Sequence, residues 1–570
     1  MFKAQRGLIP LAAALLFLAG CSREYYAQDA DRQVYSILTD YRTGEFGSAA
    51  PFTIDDGPSR NVNRGAEAIL GDLPAAGALP EWLAESSLKE VKSPLREIDL
   101  AAALRLARRN SREFQTRKET LYLSALSLTA QQHDFDWLFG LSGSVAGAVQ
   151  NEDRDRLFLT GADAGVSKQL ATGTLLALDL GLTGVKYLNH ELGTTLESAL
   201  SASITQPLWR GADTIVVRNG LIQAQRDVVY GLRTFVRYEK TFSVSVASSY
   251  YNVLLSLDKV KNQYENYRNL TAARERNELL AQAGRIQVLE LEQARQSELQ
   301  AHNSYLTSVQ SFERSLDSFR VLIGLPVDAA AVLSRQDLDR LSGAGIKPIR
   351  TDPAAAAEIA IAQRLDLKNT RGAVEDADRG VFVAADALKG DINFVAGANV
   401  ASTPNTRAGR FLFHEGSYDF GLDIDLPIDR LDERNAYRRS LIDYDASVRG
   451  YMEAVDTIKQ DIRESLRQLK RTEQTYQIAE ESVRLALRRV DSTKVELDAG
   501  RATTRDLLEA QEALVDAQNS RTEALVSHLV TRLEFQRDTE LLEVDEEGQI
   551  HEIDIEQLGT SQPTTDAPAR

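Results

Sequence analysis

The feature that most constrains this chain of 570 residues is that it carries one pattern twice. The segment AGRIQVLELEQARQSELQAHNS begins at Ala283 and AGRATTRDLLEAQEALVDAQNS begins at Ala499, an ungapped offset of 216. In that register Ala283-Gly284-Arg285 meets Ala499-Gly500-Arg501, Glu290 meets Asp506, Asn303-Ser304 meets Asn519-Ser520, and Phe319 meets Phe535. Helix-forming composition scatters Ala and Glu matches by chance. It rarely preserves a glycine and an Asn-Ser pair as well.

Each glycine lies between two helical stretches. Residues from about 212 to 282 and from about 429 to 498 are helix formers without proline, long enough at ~1.5 Å per residue for rods of roughly 105 Å. Downstream, Leu299, Leu306, Val309, Phe312, Leu316, Phe319 and Leu322 recur at three, four or seven, a coiled-coil-like seam. Leu507, Leu514, Leu525, Leu529 and Leu533 do the same, with a polar gap at Gln518 to Arg521. Glycine between such runs is a tight helix-to-helix turn, so each copy is expected to fold back as an antiparallel hairpin.

Strands are expected before each rod. Tyr418, Phe420, Leu422, Ile424 and Leu426 alternate with Asp419, Gly421, Asp423 and Asp425, and Ile392, Phe394, Ala396, Ala398 and Val400 with Asn393, Gly397 and Asn399. In the first copy the apolar series are Trp137-Phe139-Leu141-Val145-Val149, Leu176-Leu178-Leu180-Leu182 and Leu196-Leu200-Ile204. Period two fits membrane barrel strands, apolar to lipid and polar to lumen, and equally a half-buried sheet or sandwich. Aspartates repeated on one side favour the water-filled lumen. Both blocks end at proline, Pro207 and Pro427, where extended chain gives way to helix. The first block, 137–207, is nearly twice the length of the second, 391–427, and Thr172-Gly173 within it suits a turn. Two additional strands or an enlarged surface loop would account for the difference.

At the N-terminus Lys3 and Arg6 precede an apolar run from Leu8 to Leu18 that is about half the length needed to span a bilayer. The run ends Leu18-Ala19-Gly20-Cys21, and Cys21 is the only cysteine. The quartet resembles a bacterial lipobox, with lipidation of Cys21 and, given Ser22, delivery to the outer membrane; a secretory signal with an incidental cysteine is the plainer alternative. No later stretch reaches 18 consecutive apolar residues. A net charge of −17 disfavours nucleic acid as a partner. One cysteine, six scattered histidines and the lack of a phosphate loop or nucleophile elbow leave no expected catalytic residue, cofactor or metal site.

Taken together, QPLWRGAD after one strand, LPIDRLDERNAYRRSLI after another and AGRATTRDLLEAQ at the second turn resemble the TolC-like outer membrane factor family over roughly residues 96 to 544. The resemblance implies a mainly α fold with a transmembrane β part: a duplicated strand–long helix–turn–helix repeat, trimeric, with a β-barrel continued by a periplasmic α-barrel. It implies a passive outer membrane channel-tunnel of a tripartite efflux or type I secretion system. Its partners would be a periplasmic adaptor and an inner-membrane pump. Asp506 and Glu509 match the acidic aperture residues of the family, and Gly284, Arg285, Gly500 and Arg501 occupy the adaptor-contact turns, where leucine or threonine is commoner than arginine. Asp419, Asp423 and Asp425 become lumen-facing strand acids. The expected organisation is a signal peptide over 1–20, a lipidated tether over 21–95 with helix near Asp31 to Tyr41, a first repeat over 96–327, a connector over 328–358, a second repeat over 359–544 and a disordered acidic tail over 545–570. A coiled-coil periplasmic adaptor lipoprotein is the competing reading, although it needs no alternating strands.

Overall fold

A computed structural model of the chain describes residues 22–47, 52–54, 69–71, 73–90, 93–150, 155–188, 195–403, 410–426, 428–545 and 547–552. The expected signal peptide, Cys21, Pro427 and the tail beyond residue 552 lie outside the described residues. In chain order the elements are α1 (Arg23–Phe46), β1 (Arg96–Ile98), α2 (Leu100–Asn110), α3 (Arg112–His133), β2 (Leu138–Gln150), β3 (Asp155–Gln169), β4 (Leu175–Tyr187) and β5 (Thr195–Pro207). There follow α4 (Thr214–Val217), α5 (Asn219–Gln282), α6 (Val288–Leu322), β6 (Ala331–Leu333), α7 (Gln336–Ala344), α8 (Pro353–Gln363) and α9 (Leu365–Asp386). The chain closes with β7 (Asp391–Ala401), β8 (Ser417–Asp425), α10 (Leu431–Asp498), α11 (Thr504–Asp538), β9 (Leu542–Val544) and β10 (Ile550–Glu552).

The duplication extends further than sequence identity revealed. Helices α2 and α8 both have 11 residues, α3 and α9 both 22, and α6 and α11 both 35. The starts of α2 and α8, Leu100 and Pro353, are 253 residues apart, whereas those of α6 and α11, Val288 and Thr504, are 216 apart. The first copy is therefore longer in between, and the 33 residues from Asp155 to Tyr187, the hairpin of β3 and β4, supply most of the excess. Of the two expectations for the long first block, the structure has the additional strands. The Thr172-Gly173 turn joins them, with Gly173 N–H donating to the Leu170 carbonyl at 2.9 Å.

By compactness the chain forms two units that do not follow the repeats. One gathers residues 1–52, 120–232 and 369–452, the other 53–119, 233–368 and 453–570, so α5 and α10 contribute to both. The first unit holds an antiparallel six-stranded sheet in the order β2-β3-β4-β5-β7-β8. Helix α9 packs on the start of α5 through Arg226, whose guanidinium lies 2.6 Å from Asp376 and 2.8 Å from Glu375, while the Tyr230 hydroxyl donates to Asp376 at 2.7 Å. Helix α1 covers and extends the helix expected near residues 31–41, and its Asp31 accepts from the Tyr122 hydroxyl.

The second unit is built from helical hairpins. Contacts between α5 and α6 run in opposite directions along the chain. Arg274 pairs with Glu298 at 2.8 Å, the Tyr267 ring stacks 4.7 Å from His302, Tyr264 lies 5.4 Å from Tyr305, and Tyr250 lies 5.9 Å from Phe319. The buried seam of α6 is Ala294, Ala301, Tyr305, Val309, Phe312, Leu316 and Phe319. Leu299 and Leu306, expected in it, are exposed at 69% and 41%, because small Ala301 and the Tyr305 ring hold the inward positions beside them. In α10 and α11, Tyr476 and Ala479 pack on Ala524 and Leu525, and Val483 and Ala486 on Ala517. The polar gap of α11 faces α5 instead: Asn262 donates to Asn519 at 2.9 Å, and Thr522 to Asp258 at 2.9 Å.

Within the expected tether, the described part after residue 73 packs on α6: Ser87 donates from its amide and its hydroxyl to Glu313 at 2.6 and 2.7 Å, and Tyr305 donates to the Trp82 carbonyl. One expectation about the flanks is corrected. The expected disordered tail begins too early at 545. Asp545 accepts from the amides of Glu547 and Gln549 at 3.0 and 2.7 Å, a turn that lets β10 pair antiparallel with β9, and Arg532 clamps Glu552 at 2.6 Å. Within the expected connector, β6 pairs parallel with β1, and α8 runs across residue 358.

His528 is buried against Thr472, 3.1 Å from Nδ1, and the Lys347 carbonyl, 3.3 Å from Nε2. Burial, with a smaller contribution from Arg532, holds its pKa below the ordinary histidine value. The unfolded chain therefore takes up a proton near pH 6.5 that the folded site resists, and stability falls as pH drops below that value. The thermal midpoint should rise between pH 5 and pH 7, and His528→Gln should flatten that rise in scanning calorimetry.

Candidate functional site

The six strands present one apolar and one polar face, and their register decides which residues share each. One row across the sheet reads Phe139, Val166, Leu178, Ala202, Ala398, Tyr418. The adjacent residue on β2 starts a row of Gly140, Gly165, Asp179, Ser201, Asn399, Ser417. The apolar series expected from alternation in five separate segments thus all fall on one face. That face is open to solvent: Phe139 is 82% exposed, Leu141 73%, Val145 70%, Phe420 84% and Leu422 59%. A soluble sheet buries such a face against a second layer. This one leaves it bare.

The polar face gathers carboxylates that sequence left scattered. By register it carries Asp163, Asp179, Glu197 and Asp391 alongside the expected Asp419, Asp423 and Asp425. Among the described strand residues it holds no lysine or arginine; Arg156, Lys168 and Lys186 are on the apolar face near strand ends. The face also includes Leu157, Leu159, Leu175 and Val395, so it is mixed rather than wholly polar. Ser142 donates to Asp163 at 3.3 Å, and Arg210 pairs with Asp391 at 3.2 Å. Asp419 lies flat over the neighbouring strand because its partner there is Gly397, where an added Cβ would meet the carboxylate at 2.8 Å. Asp163 went unnoticed in sequence because β3 is rich in Gly and Ala and shows little alternation, and Asp391 because it opens β7 ahead of the alternating run that begins at Ile392. Trp137, just before β2, and Trp209, just after β5, are half-exposed at the end of the sheet where helices join, and the Lys168 ammonium sits 5.0 Å from the Trp137 ring. Amphipathic rings in that position match the aromatic belt of membrane proteins. Tryptophans flanking alternating segments were the available signal.

The helix turns form the other candidate site, within the second unit. At the first, Gly284 has φ 68° and its N–H donates to Ala281, while the Arg285 N–H donates to Leu280 at 2.9 Å. At the second, Gly500 has φ 72°, its N–H donates to Leu497, and the Arg501 N–H donates to Glu496 at 2.8 Å. Both are Schellman closures of the same form, which explains why Gly survives in both copies. The Arg285 and Arg501 side chains are exposed.

The expected aperture acids are already engaged. Asp506 forms a reciprocal cap with Thr503, accepting from its amide at 2.8 Å and its hydroxyl at 2.7 Å, and these bonds hold its pKa below the usual carboxylate value. Glu509 accepts from Arg505 at 2.9 Å. Glu509, but not Asp506, lines a cleft of about 560 Å³ together with Gln263, Gln293, Glu512 and Asp516. Polar ties join the two hairpin ends: Arg276 pairs with Asp498 at 2.7 Å, and Thr504 accepts from Asn277 at 3.3 Å. Sequence reasoning missed these ties, which pair residues more than 220 apart. Left-handed φ penalises any Cβ by about 1–2 kcal/mol, so Gly284→Ala and Gly500→Ala should each speed amide exchange at Arg285 or Arg501. Asp506→Ala should do the same at Thr503 while leaving the distant seam unchanged.

Comparison with known proteins agrees with this geometry. Residues 356–532 match the sequence model of the outer membrane efflux protein family. No curated protein sequence matches the chain. Among solved structures, CusC, described as forming a transmembrane channel, is 14% identical with a TM-score of 0.58, covering 82% of this chain and 99% of its own. The outer membrane protein VceC of Vibrio cholerae is 14% identical with a TM-score of 0.57, over 77% and 95%. The CmeC outer membrane channel of Campylobacter jejuni is 14% identical with a TM-score of 0.58, over 82% and 93%. The second copy of the repeat thus matches the outer membrane efflux protein family, and the chain carries the fold of the outer membrane channels it resembles.

Proposed function

We propose that the protein is the outer membrane channel-tunnel of a tripartite efflux or type I secretion system, a homotrimer that passively conducts substrates delivered by an inner-membrane pump through a periplasmic adaptor. The observation that carries this reading is the sheet: strands of up to 15 residues with one bare apolar face and one acid-bearing face, attached to long helical hairpins. No helix of the described residues is long and apolar enough to cross a membrane. If the chain crosses one, it does so by these strands. The adaptor reading would leave Phe139, Phe420 and their neighbours in water.

In this reading Cys21 is lipidated after removal of residues 1–20 and anchors the chain to the outer membrane. Asp163, Asp179, Glu197, Asp419, Asp423 and Asp425 face the lumen, and fixed negative charge in a water-filled pore draws cations and repels anions. Asp506 and Glu509 lie at the periplasmic aperture, where three copies bring six carboxylates together. Gly284, Arg285, Gly500 and Arg501 meet the adaptor, and the two arginines favour acidic or carbonyl groups there.

Purified lipoprotein in planar bilayers should give stepwise currents with cation preference. Asp163→Asn with Asp419→Asn and Asp423→Asn should move the reversal potential in a salt gradient toward zero. Asp506→Asn with Glu509→Gln should also weaken the preference. The amide oxygen of an asparagine at the first of these positions can still accept from Thr503, so this pair of changes separates charge from capping. A monomer that becomes water-soluble after lipid removal and passes no current would refute the channel.

A further inference from the structure

We infer that each copy contributes all six strands to a shared barrel, with β8 of one copy pairing antiparallel to β2 of the next. In this barrel Leu141 lies opposite Leu422 and Phe139 opposite Ile424. The inference deepens the channel reading and rests on it. Four independent features of the sheet support it.

First, both outer strands have a free edge. β2 and β8 end the sheet, and neither pairs beyond β3 or β7 among the described residues. Thirteen- and nine-residue edges are a template for another strand, and in hydrocarbon every unpaired amide on them would cost several kcal/mol. Second, direction fits. An antiparallel sheet with an even number of strands has outer strands running oppositely, so head-to-tail addition of identical copies continues the antiparallel pattern without a break.

Third, charge selects the pairing. β2 carries no charged residue, whereas β8 carries Asp419, Asp423 and Asp425. Two β8 edges meeting about a two-fold axis would set Asp419 against Asp423 of the neighbouring copy. Pairing β8 with β2 sets those aspartates opposite Ser144, Gly140 and Leu138 instead. Fourth, the faces restrict the register. Apolar Phe139, Leu141 and Val145 must share a face with apolar Tyr418, Leu422 and Ile424, which forbids every one-residue slip. Aligning the helix-proximal ends, Leu138 with Asp425, then puts Val145 opposite Tyr418.

That register has a geometric consequence. The row that starts at Phe139 reaches Tyr418 and re-enters the next copy at Val145, six residues further along. Six residues at ~3.3 Å across six strands ~4.8 Å apart correspond to a strand tilt of about 35°. Closed membrane barrels tilt their strands by about this amount. Three copies make eighteen strands, a size at which barrels enclose an aqueous lumen without a plug. The β3–β4 hairpin of the first copy is what supplies six strands rather than four, and it carries Asp163 and Asp179 into the lining.

Cross-linking in outer membranes tests this, since Cys21 is the only native cysteine. Ser142→Cys with Gly421→Cys should give disulfide-linked dimers and trimers on oxidation, because directly opposed residues meet the Cα spacing of a disulfide. Ser142→Cys with Ser417→Cys, four residues out of register, should give none. Val145→Cys with Tyr418→Cys provides a second opposed pair on the lipid side. Internally linked monomers would overturn the proposal, as would protein that conducts in bilayers yet forms no linked species with either opposed pair. Loss of both linkage and current in the folded, membrane-inserted protein would instead count against the channel reading beneath it.

Discussion

A backbone amide or carbonyl inside hydrocarbon must find its partner within the protein, because no water is there to substitute. This constraint organises the first unit. A sheet with Phe139, Leu141, Phe420 and Leu422 bare on one face has no second layer to bury them, so lipid is the solvent that suits it. The same lipid would make the free edges of β2 and β8 costly, which is what favours the pairing proposed between them. The carboxylates named on the strands lie on the opposite face, where glycines such as Gly397 leave room for them.

The second unit obeys a different rule. Its long helices are held by narrow seams rather than a broad core, so small residues such as Ala294, Ala301 and Ala510 bring helices close while Tyr305 and Phe312 fill between them. Where the apolar seam of α11 lapses, hydrogen bonds from Asn262 and to Asp258 take over. Polar ties of this kind also join the hairpin ends, from Arg276 to Asp498 and from Asn277 to Thr504. The exposed Arg276–Asp498 pair is individually weak, whereas the Asn277–Thr504 bond is buried, so the hairpin ends are tied both at the surface and inside.

Duplication followed by local insertion accounts for the asymmetry of the chain. Three helix pairs have kept their lengths to the residue, the rods α5 and α10 differ by four residues (64 and 68), and the Schellman closures at Gly284 and Gly500 have kept the same hydrogen bonds. The additional β3–β4 hairpin sits inside the sheet, between strands that have their counterparts in the second copy. Insertion as a complete hairpin preserves antiparallel alternation, so the outer strands still run in opposite directions.

Much of this architecture is legible in the residues alone. Offset repeats, period-two alternation and a glycine between apolar heptads are local patterns, and the backbone geometry of strands, helices and left-handed turns reads directly from them. The chain by itself thus determined the duplicated architecture, the faces of five strands and the two turns. It did not determine β3, whose Gly- and Ala-rich alternation is too faint, nor the inward positions of α6, where Leu299 and Leu306 yielded to smaller Ala301. Register between strands, which joined Asp163 and Asp391 to the other acids, depends on hydrogen bonds between segments far apart in sequence. The partner of a charged group is likewise decided by folding. Arg276 and Asp498 are 222 residues apart, and only tertiary packing pairs them, whereas the Thr503–Asp506 cap is a local spacing of three that sequence carries.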